Sequence, residues 1–114
     1  MKRLTLFILI LLSACKSDRP DIPADVMPPE KMIAIMQDMH IVDAVAENKG
    51  QMGMDEKMLA EEYHEQLFKN HGTTRTEFLK SFAFYEDNPK LLDELYNTVL
   101  QDLSKREAAV SKDK

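Results

Sequence analysis

Residues 70–77, Asn70-His71-Gly72-Thr73-Thr74-Arg75-Thr76-Glu77 (NHGTTRTE), end one helix and begin another with no linker between them. Gly72 stands where a helix closes in the left-handed conformation, which glycine adopts without steric cost. Thr74 and Glu77 have the spacing of a capping box, in which hydroxyl and carboxylate each satisfy a free amide. A chain that stops and restarts a helix this abruptly is folding back on itself. That joint decides for a helical bundle.

Working outward, the helix that closes at His71 runs back to about Met54, with Leu59, Tyr63 and Leu67 as its buried line. Asp55, Glu62, Glu65 and Lys69 lie away from that line. Beyond the joint, Phe78, Phe82 and Tyr85 share one face of the next helix, which Glu86-Asp87-Asn88-Pro89 ends. Asn88 as N-cap and Pro89 at the first helical position then open a further helix. Its wide stripe is Leu92, Leu95, Tyr96, Val99 and Leu103. On the other side, Lys49-Gly50-Gln51-Met52-Gly53 breaks a helix that starts at Pro28-Pro29-Glu30 and reaches Asn48. Met32, Ile35, Met39, Val42 and Ala46 form its stripe. No alternating strand pattern is present. The expected fold is all-α, a small bundle of about four helices over residues 30–106, with a frayed tail at 107–114.

The beginning of the chain obeys different rules. Lys2 and Arg3 precede an apolar run, Leu4 to Leu12, that is closed by Ser13-Ala14-Cys15. A positive head, an apolar middle and small residues at the end make a secretory signal over residues 1–14. The apolar run is far short of the ~20 residues that cross a bilayer. Leu12-Ser13-Ala14-Cys15 resembles the lipobox of bacterial lipoproteins, which implies cleavage before Cys15 and acylation of its sulfur and new amine. Cys15 is the only cysteine, so no internal disulfide forms. Residues 15–29 hold four of the five prolines and read as an extended tether between lipid and domain.

Length and charge narrow the function. Removing residues 1–14 leaves 100 residues, one domain, with 13 basic against 20 acidic side chains. A formal charge of −7 excludes electrostatic attraction to nucleic acid. Seven of the eight methionines lie between Met27 and Met58. Thioethers are copper ligands, and Met36, Met39 and His40 are close on one helix, but methionine is also an ordinary filler of irregular cores. His40, Asp43 and Glu47 occupy adjoining positions, a conceivable metal or acid–base face. The plainer reading is a polar flank in which Asp43 caps or pairs with a residue of another helix. Glu61-x-x-His64 matches one half of a di-iron element, yet its second copy is absent and both residues project away from Leu59 and Tyr63. No nucleophile motif, phosphate loop or zinc spacing appears. The expectation is no catalytic residue, no metal, no cofactor and no enzymatic activity.

From His71-Gly72-Thr73-Thr74 through Phe78, Ser81, Tyr85, Asn88-Pro89 and Tyr96, the chain resembles the small lipoproteins of Bacteroidota that carry a helical domain of unknown function. The first helix, with Asp38 and the run from His40 to Glu47, suits the same pattern, and the resemblance covers roughly residues 28–106. It implies a lipid-anchored envelope protein and supplies no activity. Lys16 after the cysteine points to the outer membrane. Lys16-Ser17-Asp18-Arg19 holds one acid only, which favours the periplasmic leaflet over surface display. The expected role is an interaction or assembly module with an envelope protein as partner. A holdase-like chaperone and a metal binder using the His40, Asp43 and Glu47 face are the alternatives. Phe84 is the expected partner contact, since helical projection puts it opposite Phe78, beside Lys80 and Ser81. The competing account of Phe84 is a short helix covered on two sides, by the last helix and by the first or second.

Overall fold

Pro28 and Pro29 open the first helix as their sequence position demands. Pro28 is an extended N-cap at φ −65° and ψ 159°, and Pro29 takes the first helical position, where a missing amide costs nothing. In the computed structural model, which describes residues 19–113, this helix is α1, Pro29–Gln51. It is followed by α2 (Glu56–Asn70), α3 (Arg75–Glu86) and α4 (Pro89–Lys112). Among the described residues no strand forms, and the fold is the expected all-α bundle. The signal sequence and Cys15 lie outside the described residues.

The turn between α1 and α2 differs from expectation in one respect. α1 continues past Asn48 through Gly50, which stays helical. A Cβ on Gly50 would meet the Glu56 Cβ at 2.9 Å, so glycine there lets the start of α2 close against α1. Reversal falls to Gly53, at φ +90°. Asp55 then caps α2, its carboxylate accepting from the Met58 amide at 3.0 Å.

At the second joint Gly72 sits at φ +66°, and the Thr73 amide donates to the Phe68 carbonyl at 2.9 Å. The Thr74 hydroxyl accepts from the Glu77 amide at 3.2 Å, one half of the expected capping box. The other half is replaced, because the Glu77 carboxylate takes the Thr73 hydroxyl at 2.7 Å. No atom lies within 4 Å of a Cβ added at Gly72, so substitution there acts through the backbone alone. Gly72→Val is expected to lower the unfolding free energy by about 1–2 kcal/mol or more, read from thermal melts. An unchanged melt would mean that this turn can be made another way.

α1 packs against α2 and α4, and α3 against α4. Met32, Ile35 and Met36 of α1 meet Leu67 and Phe68 of α2, Phe78 and Tyr85 of α3, and Leu91, Leu95 and Val99 of α4. Each such side chain contributes roughly 1.5–3 kcal/mol by leaving water. The Phe68 and Phe78 rings, 5.4 Å apart, carry the core across the α2–α3 joint. Phe68 and Leu91 were outside the expected stripes, and each flanks a residue that was inside one. The buried Gln37 donates to Asp102 Oδ2 at 2.8 Å and accepts from Arg106 at 3.4 Å, tying α1 to α4.

Two boundaries are corrected. Residues 15–29 were expected to be a tether, but Val26 is buried, and Ile22 and Met27 pack on the core. The Met27 amide donates to the Ser81 hydroxyl at 3.0 Å, and the Tyr85 hydroxyl donates to the Met27 carbonyl at 2.7 Å. Lys80 meets Asp25 at 2.9 Å. The segment is not extended throughout: the Val26 amide donates to the Pro23 carbonyl at 3.1 Å and closes a turn, and the fixed φ of its prolines reduces the entropy lost when it docks. The domain therefore begins near Ile22, not at residue 30. The tail from residue 107, expected to fray, is the last part of α4, helical to Lys112. Ala108, Ala109 and Lys112 are good helix formers, so the helix continues there without burial.

Candidate functional site

α1 and α3 each pack on α4, and a groove opens between them. From α1 it is lined by Met36, Met39, His40 and Asp43, from α3 by Phe78, Leu79 and Phe82, and from α4 by Tyr96. The three- and four-residue steps along α1 put its four lining residues on one side of the helix. Buried Met36 and Phe78 form the floor. Leu79 is 53% exposed and Tyr96 39% exposed, so the walls are apolar and wet. The groove encloses about 320 Å³.

The polar groups at its edge are differently placed. His40 is exposed, while the Asp43 carboxylate bonds His64 of α2 at 2.7 Å. A parallel pair, His71 with Asp38, is also at 2.7 Å. Lys49 donates to the Tyr63 hydroxyl at 2.6 Å and lies 5.2 Å from the centre of that ring. These contacts clamp α1 to α2, and Asp43 pairs across helices as the plainer reading had it. His64 corrects another expectation: it faces α1 rather than projecting away from the packed side.

Asp43 is thus committed to His64, and His40 and Glu47 are left in solvent. Among the described residues, no three of His, Cys, Asp and Glu come together. Met36 is buried, which takes its sulfur out of the Met36, Met39 and His40 set.

Phe84 is also corrected. It is half-buried, packs against the core and meets the Tyr85 ring edge-on at 5.5 Å. The reason lies in the segment before α1. Asp25 to Met27 covers the side of α3 that helical projection left open, engaging Lys80 and the buried Ser81. Asn88 is the N-cap residue of α4 as expected, but its side chain makes no capping bond and donates to the Phe84 carbonyl at 2.7 Å. Phe84→Ser is expected to cost about 2–3 kcal/mol, somewhat below the ~3–5 of a fully buried phenylalanine. An unchanged melting temperature would restore Phe84 as a surface contact. The exposed large apolar residue on α3 is Leu79, which carried the same signal, lying off the Phe78 and Tyr85 face beside Lys80.

A family described as a domain of unknown function (DUF4296) matches residues 23–109. The chain belongs to the DUF4296 family. The limits of the DUF4296 match agree with the packing of Val26 and Met27 into the core and with the extended α4. They also span the whole groove, from Met36 to Tyr96. No curated protein and no solved structure matches the chain.

Proposed function

We propose that the chain is a lipoprotein of the bacterial envelope, of the kind carried by Bacteroidota, acting as a non-enzymatic interaction or assembly module. Cys15 bears the acyl chains and holds the protein on the outer membrane, facing the periplasm. Its partner is an envelope protein that lays a short apolar-faced segment into the groove between α1, α3 and α4. The carrying observation is the exposure of Leu79 and Tyr96 on a groove whose floor is already dry. Contiguous apolar surface of this kind marks contact sites, and tyrosine is enriched among the residues that anchor them. The excess of acidic over basic side chains, 20 against 13 once residues 1–14 are removed, favours a partner segment flanked by Lys or Arg.

Leu79→Asp combined with Tyr96→Ser tests this reading. Both side chains are exposed, so the domain should melt within a few degrees of wild type. Formaldehyde treatment of intact cells should then yield a cross-linked adduct from the wild-type chain and none from the double variant. An adduct of undiminished yield from the variant would rule out the groove as the contact.

A further inference from the structure

Among the described residues, the methionines divide into two populations. Met32 and Met36 are buried, and Met27 and Met39 pack against the core. Met52, Met54 and Met58 are 77%, 54% and 60% exposed; the first two lie in the turn that joins α1 to α2, and the third on the first turn of α2. Core packing accounts for the first group and leaves the second without a role.

The turn that carries them is tightly built. The Met52 and Met54 amides both donate to the Lys49 carbonyl, at 3.1 and 3.2 Å, and Gly53 donates to Gly50 at 2.9 Å. Gly53 takes the positive φ of +90° between Met52 and Met54, so the backbone reverses there and both side chains leave from one bend. The Met58 amide is tied back to Asp55 at 3.0 Å, which fixes the third side chain on the first turn of α2. Met54 precedes the Asp55 cap, a position from which an apolar side chain ordinarily packs onto the fourth helical residue, here Leu59. It nonetheless stays more than half exposed. Three flexible thioethers thus stand in water on a hydrogen-bonded frame.

We infer that Met52, Met54 and Met58 form a site for a soft monovalent cation of the copper(I) or silver(I) class. Thioether sulfur is neutral, polarizable and soft, and it selects such ions over calcium, magnesium or zinc. Three sulfurs supply a trigonal donor set, and the unbranched side chains have the rotational freedom to converge on one ion. The ion keeps its positive charge in such a neutral set, and Asp55 and Glu56 beside the turn offset it. The site is separate from the groove and does not rest on the function proposed above.

Silver(I) is the air-stable probe. The full-length chain in detergent, with Cys15→Ser so that no thiol competes, is titrated with silver nitrate in chloride-free buffer. Native mass spectrometry should show a single-ion adduct at micromolar silver, and the methyl resonances of Met52, Met54 and Met58 should move while those of Met32 and Met36 stay. Each of Met52→Leu, Met54→Leu and Met58→Leu should weaken binding by on the order of tenfold or more. The triple leucine variant should melt as wild type and bind no silver. A thioether carries no proton, so affinity should be equal at pH 5 and pH 7. Loss of binding at pH 5 would place the ion on histidine instead and overturn the assignment. So would an adduct that survives in the triple variant, or the absence of any adduct.

Discussion

Tyr85→Ala is expected to remove about 3–5 kcal/mol of stability, a large share of the roughly 5–15 kcal/mol that keeps a small domain folded. Its side chain is fully buried, and it is the point where the segment before α1 is fastened to α3. Loss of the ring leaves a cavity, and loss of the hydroxyl strands the Met27 carbonyl. Tyr85→Phe separates the two effects, keeping the ring and costing about 1 kcal/mol or more through the unpaired carbonyl. Burial pushes the Tyr85 hydroxyl above its ordinary value of 10.0, with the Glu30 charge adding to the shift and Arg19 opposing it. The folded state therefore holds this proton more tightly than the unfolded chain does. That contribution is complete below about pH 10 and is lost as pH rises through the folded value. Urea titrations at pH 8 and pH 11 should show a steeper alkaline decline for wild type than for Tyr85→Phe. Equal declines would mean that the hydroxyl is not desolvated.

Cys15→Ala is expected to move the protein from the membrane fraction to the soluble fraction and to leave an uncleaved precursor. Two or more acyl chains hold a protein durably, at ~0.8 kcal/mol per buried methylene, and among the described residues no helix is long and apolar enough to cross a membrane. Fractionation of cells and intact-mass measurement check both parts. A variant that stays with the membrane at unchanged mass would remove Cys15 as the anchor, and with it the proposed location.

The helices were legible because their ends are written in local chemistry. Pro29, Thr74 and Pro89 start helices, while Gly53 and Gly72 turn the chain, and none of these needs knowledge of a distant partner; the Asp55 cap of α2 was missed. The docking of Ile22 to Met27 was not legible. Proline-rich composition describes an extended chain equally well whether it floats or lies in a seam, and only the contacts with Ser81 and Tyr85 decide between them. The same missing information misplaced Phe84, since a helical projection shows which residues share a side but not what covers it. The groove was half readable. Met39 and Phe82 belonged to expected stripes, but the gap that exposes them depends on how α1 and α3 sit on α4. Likewise a methionine-rich sequence cannot say which sulfurs are buried, and here the division falls cleanly between Met39 and Met52.

The central claim is that this domain meets a defined partner through the groove, and site-specific photo-cross-linking in living cells tests it most directly. A photoreactive amino acid at Leu79 or Tyr96 lies on the groove, while one at Glu61 is an exposed control on α2. The expected result is one adduct of a single discrete mass from both groove positions and none from Glu61. Equal adducts from all three positions, a smear of many masses, or no adduct from the groove would contradict the account.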